Sequence, residues 1–356
     1  MIKKGIRIYL ILSLTIFLVF NISLGSIDSQ LSSAYSSPYI VNEIDNDPAI
    51  SITGDSALEN FSSAGDGSPG NPYIIENYNI FANQTNGLSI GFTTAHTFIR
   101  NIDITCSTPV YGMVIVGVQN LKVENVNIQN CYSGLAIQLS INVSIENVSS
   151  NNNHMHGFHL KDASNITLSS NTAKKNTEYN YFIEEASNNT LLNNYAINGE
   201  YGYRVFASSN LTFNNNIANN NTETGFFQKG DSNTNFYQHN SAYSNGLHGF
   251  ALLHGDNNNM IDNYANGSKY GFYFYQSTHN YLLNNIAEVN EFNFFYYEAS
   301  YSNIISSTSS LSTAGFSSST SSNSNNSDGK SSNWYFDILF LSPFAFFGYR
   351  RIKKKS

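Results

Sequence analysis

Short runs of alternating apolar and polar residues recur along most of the chain. One position of the repeat carries glycine or asparagine and returns every 22–24 residues, at Gly112, Gly134, Gly157, Asn180, Gly202, Gly225, Gly249, Gly271 and Asn293. The residues one and three positions later are apolar in nearly every repeat, which gives a period of two. That period is typical of β-strands and not of helices. Each repeat therefore predicts two or three short strands joined by turns.

A second ladder, of asparagines, keeps phase with the first. It runs through Asn125, Asn147, Asn171, Asn194, Asn216, Asn240, Asn263 and Asn285, and an alanine usually follows two residues later. Strands of neighbouring coils would lie about 4.8 Å apart, so side-chain amides at one position would bond along the stack. In the first ladder asparagine replaces glycine twice, which indicates a backbone with positive φ.

Two ladders in phase predict an all-β fold: a right-handed, single-stranded parallel β-helix, or solenoid, of about ten coils with 22–24 residues per coil. We place the solenoid at residues 50–305 and its N-terminal cap and first turn at Ile50–Pro72. Each coil would bury its inward side chains against the same positions in the coils above and below.

The segment Gly65–Asn77 reads Gly-Asp-Gly-Ser-Pro-Gly-Asn-Pro-Tyr-Ile-Ile-Glu-Asn, and repeats of the form Gly-x-x-Ile…Ser-x-Asn-x-x-Ile-x-Asn-Asn follow it. This pattern resembles the NosD-type β-helix family over residues 50–305. The resemblance implies a place among the right-handed β-helices of carbohydrate-binding proteins and sugar hydrolases. A NosD-like role would be the maturation of a copper enzyme. Because the repeat consensus is itself structural, the resemblance bears on the fold more than on the function.

The N-terminus has the pattern of a secretory signal. A basic start precedes an apolar run over residues 8–24, and small residues follow. We predict a signal peptide, or an uncleaved signal anchor, at residues 1–25 and a linker at residues 26–49.

The C-terminus has three parts. Residues 306–333 are mainly Ser, Thr, Asn and Gly, which predicts a Ser/Asn-rich stalk; residues 334–349 are largely apolar, and residues 350–356 are basic. The order resembles prokaryotic surface-sorting signals. The apolar segment is shorter than the roughly 20 residues of a spanning helix. We predict a transmembrane or sorting segment, with a cytoplasmic tail and an extracellular solenoid at the cell surface.

Charge and cysteine content narrow the function classes. Charged residues make up 12% of the chain and its net charge is −8. Without a basic stripe to neutralise phosphates, nucleic acid is excluded as an expected partner. The two cysteines, Cys106 and Cys131, lie about one repeat apart, so neighbouring coils would place them within reach of a disulfide. A pair of buried free thiols is the alternative.

One outward column of the predicted sheet is rich in aromatic residues. By alternation, the residues two positions after the first ladder point outward: His159, Phe182, Arg204, Phe227, Ala251, Tyr273 and Phe295. A second outward column follows two positions later, with Phe206, Leu253, Tyr275 and Tyr297. Ring faces suit the apolar faces of sugars, so we take as candidate binding residues Phe182, Arg204, Phe227, Tyr273, Tyr275 and Phe295. The alternatives are contact with another surface protein and ordinary packing.

Acidic residues and histidines give weaker leads. Asp162 and Glu185 share one repeat position on adjacent coils, as the paired carboxylates of a glycoside hydrolase would. Ordinary surface charges explain the pair equally well. His156 and His248 occupy a column otherwise filled largely by tyrosine, where a histidine serves as one more flat ring. We expect neither a metal site nor a cofactor.

Asn-x-Ser/Thr motifs are candidate glycosylation sites in a secreted protein. Four of them share one repeat column, in which turn chemistry also explains the asparagine: Asn142, Asn165, Asn188 and Asn210. We predict glycosylation outside that column, at Asn60, Asn83 and Asn325.

Together these features predict a surface-anchored β-helix protein that binds glycans or other surface polymers, or another surface protein, without catalysis. A carbohydrate-active hydrolase or lyase is the main alternative, so the enzyme question stays open. A structural or adhesive protein, or a scaffold for copper-enzyme maturation, is a further alternative.

Overall fold

The repeats fold into a parallel β-solenoid of about ten coils. A computed structural model describes residues 46–298, 300, 303–306, 309–311 and 317–318. In chain order the elements are β1 (Ile50–Thr53), α1 (Asp55–Phe61), β2 (Tyr73–Ala82), β3 (Leu88–Gly91), β4 (Thr97–Cys106), β5 (Met113–Val116), β6 (Gln119–Gln129), β7 (Leu135–Gln138), β8 (Ile141–Glu146), β9 (Ser149–Asn151), β10 (Phe158–Lys161), β11 (Thr167–Ser169), β12 (Thr172–Lys174), β13 (Tyr179–Glu184), β14 (Thr190–Leu192), β15 (Tyr195–Ile197), β16 (Tyr201–Phe206), β17 (Thr212–Asn214), β18 (Ile217–Asn219), β19 (Thr224–Lys229), β20 (Phe236–Gln238), β21 (Ser241–Tyr243), β22 (His248–Leu253), β23 (Asn259–Ile261), β24 (Tyr264–Asn266), β25 (Tyr270–Tyr275), β26 (Tyr281–Leu283), β27 (Ile286–Glu288), β28 (Phe292–Tyr297), β29 (Ile304–Ser306), β30 (Ser309–Leu311) and β31 (Ser317–Ser318).

Within the described residues, the strands form two sheets in which each strand pairs in parallel with its equivalents in the adjacent coils. Sheet 1 has twelve strands, in the order β1, β3, β5, β7, β10, β13, β16, β19, β22, β25, β28 and β31, and sheet 2 contains the other nineteen. In sheet 1, for example, Phe158 pairs with Tyr181 and Tyr181 with Tyr203. The prediction of a parallel solenoid with 22–24 residues per coil is therefore confirmed.

The core consists of side-chain columns that run along the solenoid. The residues directly after the first ladder are buried, and from β10 onward they are a stack of rings with centroids 4.6–4.9 Å apart: Phe158, Tyr181, Tyr203, Phe226, Phe250, Phe272 and Phe294. Ring stacking at the spacing of the strands explains how so narrow a core accommodates so many aromatic residues.

The glycine ladder is required by close contact between coils, and the expectation of positive φ is wrong. Neither the ladder glycines nor Asn180 and Asn293 have positive φ. A Cβ atom at Gly225 would lie 2.7 Å from the carbonyl oxygen of Gly249 and 3.2 Å from the Cβ of Ala218. The alanines of the second ladder therefore pack against the glycines of the first.

A ladder of buried asparagines runs along the solenoid from Asn171 to Asn285. Each Nδ2 up to that of Asn263 donates to the Oδ1 of the next asparagine in the ladder at 3.0–3.1 Å. Asn125 and Asn147, which the sequence places in this ladder, instead lie at an exposed corner with φ of 54° and 52°. Strand pairing aligns Asn171 with Val148, one position later than the sequence reading had it.

The two ends of the described region differ. At the N-terminal end, α1 follows β1 and buries Leu58. At the C-terminal end, β30 and β31 continue the two sheets into the segment predicted as a stalk. Cys106 and Cys131 form a disulfide with a Cα–Cα distance of 4.8 Å, which links two neighbouring coils.

The predicted terminal segments at residues 1–25, 334–349 and 350–356 lie outside the described residues, as does most of the linker. None of the helices within the described ranges is long and apolar enough to cross a membrane.

Candidate functional site

The outer surface of sheet 1 from β10 to β28 carries a continuous group of aromatic and charged side chains, which we call the aromatic face. Strand pairing places in one column His159, Phe182, Arg204, Phe227, Ala251, Tyr273 and Phe295. All of these are partly exposed except Ala251, which strand pairing places in the same outward column but which is fully buried. A methyl group is too short to emerge between the large side chains of the adjacent coils.

Many rings of the aromatic face stack on one another along the solenoid. The ring centroids of His159 and Phe182 are 4.9 Å apart with planes 13° from parallel, and those of Tyr273 and Phe295 are 5.5 Å apart at 6°. Tyr275 lies on Tyr297 in the neighbouring column. A stacked pair covers one face of each ring and presents ring edges and hydroxyl groups to solvent. The surface therefore differs from the open platform of ring faces that the sequence suggested.

Arg204 lies at the centre of the charged part of this face. Its guanidinium carbon is 4.9 Å from the ring centroid of Tyr179, 5.5 Å from that of Tyr201 and 5.2 Å from that of Phe227. A guanidinium at such distances from ring faces is stabilised by cation–π attraction. Among the ion pairs of the described residues, none involves Arg204.

Three glutamates lie on consecutive coils beside Arg204. The backbone N–H of Glu200 donates to the carbonyl of Glu178 at 3.1 Å, and that of Glu223 donates to Glu200 at 2.9 Å. Desolvation raises the pKa of the Glu178 carboxyl, and Arg204 opposes the shift. The pKa of Glu200 is raised by desolvation first and then by the like charges of Glu223 and Glu178. Sequence reasoning missed this column, although glutamate recurs two residues before Asn180, Gly202 and Gly225.

A fourth glutamate has the opposite shift. Glu184 Oε2 lies 3.3 Å from His159 Nε2 and 3.2 Å from Lys161 Nζ. The hydrogen bond with His159, and then the charge of Lys161, lower the pKa of Glu184 despite its partial burial. The aromatic face thus holds carboxyl groups whose environments move their pKa values apart, which is a common property of acid–base sites.

The two acids predicted as catalytic lie at the corner after these strands. Asp162 and Glu185 follow the paired residues Lys161 and Glu184 on adjacent coils, and both are exposed with φ near 50°. The Glu185 carboxylate is 3.7 Å from Lys161 Nζ. The structure brings the two acids to one corner beside the aromatic face, and their catalytic role stays a prediction.

The buried histidines of the face behave as aromatic rings. His156 stacks on Tyr179 with centroids 5.0 Å apart and planes 6° from parallel, and His248 stacks on Tyr270. Burial lowers the pKa of both imidazoles to about 3. No group of three or more His, Cys, Asp or Glu side chains in the described part of the chain is arranged to hold a metal ion.

Two of the predicted glycosylation sites lie in the first coils, before the strands of the aromatic face. Asn60, at the end of α1, and Asn83, after β2, are both exposed. Asn325 lies outside the described residues. The column Asn142, Asn165, Asn188 and Asn210 forms an exposed corner with positive φ, which agrees with its explanation by turn chemistry.

A family model described as the right handed beta helix region matches residues 42–176 and 111–265. The two overlapping matches cover more than half of the chain. None of the curated proteins matches the chain in sequence.

Several solved structures are similar to the solenoid. The A-module of mannuronan C-5 epimerase AlgE6 from Azotobacter vinelandii is 14% identical with a TM-score of 0.50, over 67% of this chain and 90% of that one. The AlgE4 A-module from the same organism is 12% identical with a TM-score of 0.51, over 75% and 99%. A double mutant of the periplasmic alginate epimerase AlgG is 12% identical with a TM-score of 0.54, over 73% and 83%. Identities this low indicate a shared fold alone.

Proposed function

Because the chain belongs to the right-handed β-helix family, whose stacked coils present long regular surfaces, we propose that it binds a polysaccharide or a related surface polymer along the aromatic face. Proteins with a similar fold include epimerases named for alginate and mannuronan, which are polysaccharides. The regular spacing of the coils suits a ligand built from repeating units.

The observation that carries this proposal is the environment of Arg204. Its guanidinium lies against the rings of Tyr179, Tyr201 and Phe227, and it interacts with the carboxyls of Glu178 and Glu200 through space without forming an ion pair with a described carboxylate. A pre-positioned guanidinium has five donors in a fixed plane and loses little entropy when it binds acceptor oxygens. Hydroxyl, ether and carbonyl oxygens of a polymer are suitable acceptors.

The ring arrangement decides how the polymer would be held. Stacked pairs such as Tyr273 with Phe295 offer ring edges, and Tyr275 and Tyr297 add hydroxyl groups along the adjacent column. The ligand would therefore contact the ring edges and tyrosine hydroxyl groups of several coils, and each coil would contribute a small part of the binding free energy. Contact over many coils makes affinity depend on polymer length.

A carbohydrate-active enzyme is the second candidate. The half-buried Glu178 and Glu200 have raised pKa values, whereas the pKa of Glu184 is lowered. A carboxyl with a raised pKa is suited to donating a proton in the acid–base cleavage of a sugar polymer; Glu184 lies at the opposite end of β13 from Glu178, so these two groups do not form a catalytic pair. On this view Glu200 is a proton donor, and Arg204 orients the polymer beside it. Asp162 and Glu185 remain predicted alternatives at the neighbouring corner.

The proposed location is the outside of the cell, with the chain attached to the membrane through residues 334–349. The disulfide between Cys106 and Cys131 supports an oxidising compartment, because such bonds are rare in the cytosol. Glycosylation at Asn60, Asn83 and Asn325 and a NosD-type relationship belong to the same proposal.

A polysaccharide array probed with the full-length chain tests the proposal. We expect binding to at least one polymer, and binding weaker by tenfold or more in the variants Phe227→Ala and Arg204→Ala. Phe236→Ala is the matched control, because this aromatic residue points outward from β20 of sheet 2. Absence of polymer binding, or equal losses in all three variants, would refute the proposal.

The enzyme candidate needs a separate readout. The bound polymer is incubated with the chain, and new chain ends are measured for the wild type and for the variant Glu200→Gln. Cleavage that the variant abolishes while binding persists would establish the enzyme. Binding without cleavage by the wild type would exclude it.

A further inference from the structure

A cavity of about 320 Å³ opens on the outer surface of sheet 2, in a part of the solenoid separate from the aromatic face. Its lining comes from the loop before β2, from β4 and β6, and from the corner residue at the start of β8: Pro69, Pro72, His96, Thr97, Phe98, Asn120, Leu121, Lys122 and Asn142. We call it the Phe98 cavity. Its volume is at the lower end of the range of roughly 300–1,000 Å³ that is usual for small-molecule sites.

The loop that forms one wall is fixed before any ligand arrives. The backbone N–H of Ser68 donates to the Asp66 carboxylate at 2.9 Å, and the N–H of His96 donates to the carbonyl of Gly67 at 3.0 Å. Gly67 has a φ of 77°, and a Cβ there would lie 2.6 Å from the ring of Tyr73. Pro69 and Pro72 also restrict the backbone. The conformational entropy lost by this loop when a ligand binds is therefore small.

The charged groups at the cavity are already paired. Lys122 Nζ lies 2.8 Å from Glu124 and 3.2 Å from Glu146, and Arg100 pairs with Glu76 at 2.6 Å. The Arg100 guanidinium carbon and the Lys122 ammonium lie 5.0 and 5.2 Å from the centroid of the Phe98 ring, so a sugar would contact only the part of the ring that these cations leave exposed. A charged ligand would have to compete with these partners, so the cavity favours a neutral one.

The remaining polar groups match hydroxyl chemistry. Asn120 donates through Nδ2 to the carbonyl of Thr94, and Asn142 accepts through Oδ1 from Asn165. Within the described residues this leaves the Asn120 Oδ1 as an acceptor, the Asn142 Nδ2 as a donor, and the His96 ring without a hydrogen bond. A hydroxyl group both donates and accepts, so neighbouring hydroxyls could pair with both amides.

We propose that the Phe98 cavity binds a single neutral sugar unit, with the sugar against the Phe98 ring and its hydroxyls on Asn120, Asn142 and His96. This site is independent of the polymer site on the aromatic face.

Titration of the full-length chain with neutral methyl glycosides and with the matching methyl uronosides, followed by NMR, tests the proposal. We expect saturable binding of at least one neutral glycoside and binding at least tenfold weaker for its uronoside. Phe98→Ala should reduce the affinity for the neutral glycoside by about tenfold, the loss expected for an aromatic contact.

Phe236→Ala is the matched control here too, because Phe236 occupies the same column of sheet 2 in a distant coil. It should leave the affinity unchanged. Asn120→Leu is a second test variant, because it removes a hydrogen-bond acceptor and leaves the Phe98 ring in place. It should also weaken binding of the glycoside. Absence of saturable binding, preference for the uronoside, or equal effects of Phe98→Ala and Phe236→Ala would overturn the proposal.

Discussion

Replacing Asn216 with alanine removes one member of the buried asparagine ladder. Its Oδ1 accepts from the backbone N–H and the Nδ2 of Asn194 at 2.9 and 3.0 Å, and its Nδ2 donates to Leu191 O at 2.8 Å and Asn240 Oδ1 at 3.1 Å. The side chain is fully buried. The variant leaves the N–H of Asn194 and the carbonyl of Leu191 in the interior without this partner.

Each buried polar group that loses its partner costs about 1–3 kcal/mol, so we expect Asn216→Ala to lower the free energy of unfolding by about 4 kcal/mol. With an m-value of about 3 kcal/mol/M, the urea midpoint would fall by about 1.3 M. Circular dichroism at 218 nm (roughly the β-sheet minimum) follows the transition, and the m-value is compared to check that cooperativity is kept.

Asn219→Ala is the control for this measurement. Asn219 lies in β18 of the same coil and is partly exposed, and its side chain makes no hydrogen bond to other described residues. We expect this variant to change the free energy of unfolding by no more than about 0.5 kcal/mol. If Asn216→Ala costs less than about 1 kcal/mol, or no more than the control, the ladder is not a major source of stability.

Three further predictions concern the contacts between coils and the buried imidazoles. Gly225→Ala should destabilise the chain by more than about 2 kcal/mol in urea unfolding, because its Cβ would meet a backbone oxygen of the next coil; Gly70→Ala, where nothing lies within 4 Å, should not. Reduction of the Cys106–Cys131 disulfide, 25 residues apart, should cost about 3 kcal/mol, and a thermal melt with and without reductant in which the transition did not move would contradict this. Burial lowers the pKa of His248 from 6.5 to about 3, so the unfolded chain binds more protons between these values. Stability should therefore decrease as the pH is lowered across this window, by up to about 1.4 kcal/mol per pH unit for this histidine. His248→Phe should flatten the dependence measured between pH 6 and 5 by about that amount.

The fold could be predicted from the sequence because each inward column consists of side chains from the same position of successive repeats. Phe158, Tyr181 and Tyr203 are 22–23 residues apart, and the structure stacks them in the core. The asparagine ladder was harder to place, because Val148 occupies the buried position in its coil and asparagine occupies the neighbouring corner. A periodic pattern defines spacing well, but it leaves a shift of one residue undetected.

The candidate site was less predictable for physical reasons. Alternation shows that Phe182 and Tyr273 point outward, but it does not show that stacking covers one face of their rings. The environment of Arg204 combines rings from three coils, and the Phe98 cavity depends on a loop outside the repeat. Such arrangements depend on side-chain directions and on non-repeating segments, which periodicity does not describe.

Hydroxyl-radical footprinting with a polymer identified on the array tests most directly whether the aromatic face is the binding surface. The account predicts that the bound polymer lowers the oxidation rates of Tyr179, Phe227 and Tyr273 at least threefold and leaves the rate of Phe236 unchanged. Protection that includes Phe236 but not these three residues, or bound polymer without protection of the face, would contradict it.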